Sequence, residues 1–241
     1  MSRGWSLLCL IACFPAVTNG QPPRLPVKTV GYVLEQPDRL EPAYAKPTAY
    51  APQPGDILLY DDYNKFFHFI FRLAHTAPPT HTSMVIADRD GKPALLELTG
   101  PQVLTAKVQI MDVDTRLHSY PGMVMVRKIR QPLTPQQSGD LTRFAEAQAG
   151  KQFAALRVGL MVTPICPRYG LRKEIFGNTY LNRNRWFCSE LVVAGCVTAR
   201  ILPEKGCCPN ALFPRDLGVD ERLDLSAYYH PPVLWVPESK S

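Results

Sequence analysis

An α+β fold, an antiparallel sheet packed against helices on one side, is the class this sequence predicts. Three observations carry it. Short strand-like runs between residues 57 and 127 are joined mainly by turn chemistry, which favours antiparallel pairing. The two clear helical segments, 134–150 and 187–202, come only after those runs. The 24 prolines outnumber the 15 glycines and leave no room for long uninterrupted helices.

The elements follow in order. Gly55-Asp56 is a turn, and Ile57 to Tyr60 reads as a buried strand. Phe66 to Leu73 is dense in aromatics and reads as a short helix packed on the core. Ser83 to Ala87 and Ala94 to Leu98 flank Asp90-Gly91, a strong hairpin signal. Gln102 to Val108 is a third run after Gly100-Pro101, and Met123 to Arg127 a fourth after Pro121-Gly122. Thr134 is a good N-cap with Pro135 at the first helical position. Leu141, Phe144 and Ala145 give that helix its apolar face, and Gly150 stops it. Residues 151–185 are irregular, broken by Pro164, Pro167, Gly170 and Gly177. Phe187 to Leu202 is the second helix, and Val233 to Val236 adds a last strand.

Composition excludes several classes. With 241 residues the chain can bury a core without metal or disulfide staples. Apolar residues at 46% and charged residues at 20% argue against wholesale disorder. No apolar run reaches the ~18 residues that cross a bilayer. A net charge of +6 without a dense Lys/Arg stripe speaks against a nucleic-acid partner. Residues 1–20 read as a secretory signal: Arg3 leads, Trp5 to Val17 is almost wholly apolar, and Thr18-Asn19-Gly20 offers small residues for cleavage. This predicts a secreted or periplasmic protein, and Leu10-Ile11-Ala12-Cys13 adds the option of a lipid anchor. Residues 21–54, with eight prolines, read as an extended lead, with Tyr32, Tyr44 and Tyr50 able to dock. Residues 55–241 form the folded domain, with 154–185 as an insert.

Export would leave five cysteines, an odd number, so at least one thiol is free or pairs outside the chain. Adjacent Cys207 and Cys208 are a strained pair, so two bridges would most simply join them to Cys166 and Cys196. The alternative is five buried thiols.

Cys188 stands at a helix start, where the dipole and free N–H groups favour a thiolate and a developing oxyanion. His81 opens a strand and is placed to act as a base. Glu97 is an acid within Leu95-Leu96-Glu97-Leu98, and a buried carboxylate needs a partner. If the two strands pair, Glu97 can orient the His81 ring, completing a generalised Cys, His, carboxylate triad. Taken singly, each has a plainer reading: a buried cysteine, a solvated loop histidine, an edge-strand acid. Glu190 and Ser189 suit the first turn structurally rather than catalytically. His68, His75 and His81 with Cys207-Cys208 match no zinc spacing, so no metal or other cofactor is expected. Arg168, Arg172, Lys173, Arg183 and Arg185 form either a solvated face or a patch that steers an anionic group, such as cell-envelope material.

His81 in Thr-His-Thr-Ser-Met-Val, Glu97 in Leu-Leu-Glu-Leu-Thr and Cys188 in Phe-Cys-Ser-Glu-Leu-Val, in that order, resemble the circularly permuted papain-fold hydrolases. The similarity is to the YiiX-like branch of the NlpC-type peptidase superfamily. It includes the opening Gly55-Asp56-Ile57-Leu58 and the segment 124–150, and covers roughly residues 53–202. The resemblance implies a permuted papain-like fold in which Cys188 attacks a carbonyl carbon, His81 shuttles the proton and Glu97 holds the imidazole. It also implies a peptide, acylated amino acid or lipid as substrate. Hydrolysis of an amide bond is the leading expectation. Lipid-directed acyl transfer of the lecithin–retinol acyltransferase type and a non-catalytic envelope-binding module are the alternatives.

Overall fold

The computed structural model describes residues 28–35, 46–161 and 183–238. The segment read as a secretory signal, with Cys9 and Cys13, and Tyr44, Cys166, Arg168, Arg172 and Lys173 lie outside the described residues.

The fold is α+β, built on one ten-stranded, mostly antiparallel sheet. In chain order the elements are β1 (Tyr32–Glu35), β2 (Lys46–Ala49), β3 (Ile57–Asp61), α1 (Lys65–Leu73), β4 (His81–Ala87), β5 (Pro93–Thr99) and β6 (Lys107–Asp112). They continue with α2 (Val113–Ser119), β7 (Met123–Arg127), α3 (Pro135–Gln148), β8 (Gln152–Phe153), α4 (Ala155–Met161), β9 (Arg185–Trp186), α5 (Cys188–Thr198) and β10 (Val233–Val236). Across the sheet the strands run β2-β1-β10-β7-β3-β4-β5-β6-β8-β9, and β8 with β9 is a parallel pair.

Local chemistry sets most of these elements. Asp88 closes the β4–β5 hairpin by accepting hydrogen bonds from the N–H groups of Asp90 (2.9 Å) and Lys92 (2.8 Å). Thr134 and Gln137 form a reciprocal capping box at the start of α3, with Pro135 in the first turn. Gly150, at φ 81°, turns the chain where α3 ends. A Cβ on Gly195 of α5 would come within 3.2 Å of the Leu141 side chain, so the glycine lets α5 sit close against α3.

Strands β3, β4 and β5 are buried on both faces, which is why they read as apolar runs rather than alternating ones. Ile57, Leu59, Met84, Ile86 and Leu96 face α3 and α5 in the larger core cluster. Leu58, Tyr60, Val85 and Leu95 face a second cluster containing Val113 and Leu117 of α2, Val33, Tyr50 and Trp235. Each such side chain, once buried, contributes roughly 1.5–3 kcal/mol. Helices therefore lie on both faces of the sheet, α3 and α5 on one and α2 on the other, where the sequence predicts helices on one side.

Other differences from the sequence reading have physical reasons. Part of the proline-rich lead is hydrogen-bonded into the sheet: β1 pairs with β10 and β2 with β1. Pro47 is accommodated because β2 is an edge strand. The third strand begins at Lys107, after a 3₁₀ turn over Val103–Thr105. Helix α1 has no buried residue: it borders a cavity, and it meets the core only through Phe71, which packs on a small cluster with Phe187 and Phe213. The second helix ends at Thr198, and Arg200 at φ 55° takes the chain out of it. Cys188, Cys196, Cys207 and Cys208 are all thiols, so no bridge joins Cys196 to Cys207 or Cys208. Burial pushes the Cys196 thiol up to about 12, and its sulfur lies 3.4 Å from the Tyr229 hydroxyl.

Candidate active site

Strand parity places the first part of the site. His81 pairs with Tyr60 across β4 and β3, and cross-strand partners share a face of the sheet. Glu97 shares the parity of Leu95, which faces the same α2-covered layer. There the His81 Nε2 and Glu97 Oε1 atoms are 3.0 Å apart. The tilted Tyr60 ring lies 5.4 Å from the imidazole. Cys188 arrives from the α5 start, where Phe187 is the N-cap without a side-chain cap bond. Its thiol lines the same cavity as the His81 side chain, close enough that the sulfur raises the imidazole pKa. Because Nε2 is engaged by Glu97, Nδ1 is the ring atom left for the sulfur. The structure thus brings together the three residues that the sequence singled out.

A fourth residue was missed. Arg116 of α2 grips Glu97 through three contacts: Nε to Oε1 at 3.1 Å, Nε to Oε2 at 3.0 Å and Nη2 to Oε1 at 2.6 Å. Its guanidinium also lies 5.5 Å from the Tyr60 ring centre and 5.0 Å from that of Tyr120, within cation–π range. The available sequence signal was the demand that a carboxylate in an apolar strand makes for a cation.

Electrostatics follow from this packing. Burial of Glu97 raises its pKa, but hydrogen bonds and charge from His81 and Arg116 outweigh it and hold the carboxyl below its usual range. Burial acts to lower the pKa of His81. Hydrogen bonds to Cys188 and Glu97, with their charges, reverse that and raise it to about 10. The imidazolium is therefore the favoured form at neutral pH, and it lies between a sulfur and a carboxylate.

Glu190 and Ser189 are both bonded within the fold. The Ser189 hydroxyl donates to the Leu212 carbonyl at 2.7 Å. Glu190 is buried, with Arg157 Nη1 at 2.5 Å and Arg183 Nε at 2.9 Å from its Oε1. Burial raises the pKa of Glu190, opposed by these two cations and the Phe187 backbone N–H. Arg183 is thereby an internal partner rather than part of a steering patch, whereas Arg185 is exposed on β9. His68, on α1, bonds Asp61 at 2.7 Å.

Cys188, His81 and Arg116 open onto a cavity of about 350 Å³. Its remaining wall is mainly apolar: Phe67, Ile70 and Phe71 of α1, Val158 and Met161 of α4, and Phe213. The arrangement is a thiol at a helix mouth, beside an imidazolium, at the floor of an apolar pocket.

No protein-family model matches the chain, and no curated protein does. Among solved structures it is similar to one described as the metalloprotein yiiX from Escherichia coli O157:H7, DUF1105. That match has a TM-score of 0.43 and 18% identity, and it covers 77% of this chain and 90% of that one.

Proposed function

We propose that the chain is a cysteine hydrolase of permuted papain-like fold, in the NlpC-type superfamily, acting outside the cytoplasm on an amide bond through an acyl-enzyme. The observation that carries the proposal is the His81 ring, bonded to Glu97 at 3.0 Å and facing the same cavity as Cys188. In the proposed cycle the Cys188 thiolate attacks the carbonyl carbon. Backbone N–H groups of the first α5 turn receive the developing oxyanion. The His81 imidazolium gives its Nδ1 proton to the departing amine, leaving an acyl-thioester. Neutral His81 then takes a proton from water, whose oxygen attacks the thioester. The acid leaves, and the thiolate–imidazolium pair is restored. Glu97 keeps the ring oriented and stabilises its charge throughout.

The apolar cavity favours a second reading, in which the acyl group is a lipid chain and the acceptor an amine or alcohol instead of water. Both readings share one acyl-enzyme.

The test screens wild type and Cys188→Ala against acylated amino acids, peptidoglycan fragments and lipids, with and without acceptors. Turnover by wild type alone supports the proposal, and full activity in Cys188→Ala refutes it. Iodoacetamide should label Cys188 fast near neutral pH, and His81→Ala should slow that labelling. Equal, slow labelling of every cysteine would point to a binding module instead.

A further inference from the structure

Helix α1 divides into three longitudinal sectors. At 3.6 residues per turn, Lys65, His68 and Arg72 fall within about 60° of one another, and so do Phe66, Phe69 and Leu73. Phe67, Ile70 and Phe71 occupy the third sector and line the cavity in front of Cys188. The middle sector faces water: Phe66 is 66% exposed, Phe69 57% and Leu73 50%. Across the cavity, α4 repeats the arrangement. Val158 and Met161 line the wall, while Leu156 is 85% exposed and Leu160 54%. The cationic sector borders a groove of about 330 Å³ lined by Lys65, His68, Phe69, Arg72, Thr76 and Pro78. There the buried Thr76 hydroxyl has no hydrogen-bond partner. Asp61 offsets His68, whereas Lys65 and Arg72 have no ion pair among the described residues.

Isolated exposed apolar residues are ordinary, but five on two helices that flank one cavity form a patch. We propose that this rim is a lipid-docking surface, on which α1 lies in the headgroup layer of an anionic phospholipid bilayer. Lys65 and Arg72 meet phosphates at the groove. Phe66, Phe69 and Leu73 enter the acyl boundary, as an aromatic-faced basic helix does at an interface. Leu156 and Leu160 make the second point of insertion, and the cavity mouth then faces the membrane. The chain's net charge of +6 favours the same surface. The proposal does not depend on what Cys188 does.

Co-sedimentation of the full chain with phosphatidylcholine vesicles, with and without phosphatidylglycerol, tests it. Wild type should sediment with the anionic vesicles and much less with the neutral ones. Phe66→Ser/Phe69→Ser should weaken partitioning about tenfold or more, given the apolar area withdrawn. Lys65→Glu/Arg72→Glu should weaken it at least tenfold on anionic vesicles, at about fivefold per cation removed. Cys188→Ala should bind like wild type. Iodoacetamide labelling of Cys188 in solution should be unchanged in Phe66→Ser/Phe69→Ser, which shows that the fold and the site survive. Wild type left in the supernatant, equal sedimentation with both vesicle types, or wild-type sedimentation by both double variants would overturn the proposal.

Discussion

Replacing Arg116 with Met tests whether the arginine acts through Glu97. The substitution keeps an unbranched apolar stem against Tyr60 and Tyr120 and removes only the guanidinium. It leaves a fully buried carboxylate with one remaining side-chain partner, His81 at 3.0 Å. Breaking a buried pair typically costs about 3–5 kcal/mol, and with His81 still in place and Arg116 18% exposed the expected loss is about 2–3 kcal/mol. In a Glu97→Gln background there is no buried charge to strand, so the same replacement should cost about 1 kcal/mol, the worth of an ordinary hydrogen bond. The cycle therefore predicts a coupling of about 1–2 kcal/mol, within the usual range for residues in contact. Urea unfolding of the four proteins at pH 7 measures it. Iodoacetamide labelling of Cys188 gives a second readout: Arg116→Met should slow it in the Glu97 background and leave it nearly unchanged in Glu97→Gln. Equal stability losses in both backgrounds, with equal labelling effects, would show that Arg116 merely packs on the two tyrosines.

Three further outcomes are expected. Asp56 accepts from Ile129 N–H, Gln53 N–H and the Tyr50 hydroxyl, and burial raises it to about 6. Asp56→Asn should nonetheless destabilise by about 1–3 kcal/mol in urea melts, because one oxygen becomes an NH₂ aimed at donors. His81 binds its proton more tightly folded, at about 10, than at its ordinary 6.5. Its contribution to stability is full below 6.5 and vanishes as pH rises through about 10, so the stability gap between wild type and His81→Gln should shrink across that window. Glu190→Gln should lower the melting temperature while keeping iodoacetamide labelling of Cys188 within about twofold, as expected of a group that anchors rather than reacts. A tenfold loss of labelling would make Glu190 part of the chemistry.

Features set by neighbours in the chain were legible in the sequence. Asp90-Gly91 specified a hairpin, and Thr134-Pro135 specified a capped helix start, because both rest on backbone chemistry within a few residues. Cys188 was legible because a helix start is itself a local signal. Arg116 was not, since its partner Glu97 is 19 residues away and α2 has only seven residues. The pattern was present in outline, with Asp112 as N-cap and Val113 and Leu117 four apart on the buried face. The edge strands β1 and β2 were hidden because their pairing is with β10 and with each other, a long-range relation that proline content obscures. Helix α1 misled for another reason. Its aromatic content is what core packing requires, but the core-facing surface of the sheet was already filled by α3 and α5.

The two buried glutamates explain how a pocket and a nucleophile remain in register. Glu97 ties His81 of β4 to Arg116 of α2, so the imidazole is fixed by one face of the sheet. Glu190 ties the first turn of α5 to Arg157 of α4 and to Arg183, next to β9. Arg157 also donates to the Arg185 carbonyl and lies over the Phe187 ring, so one side chain links α4, β9 and the helix mouth. Since α4 forms a wall of the cavity, a shift of that wall would carry Cys188 with it. The resulting division assigns the nucleophile to the substrate wall and the base to the sheet.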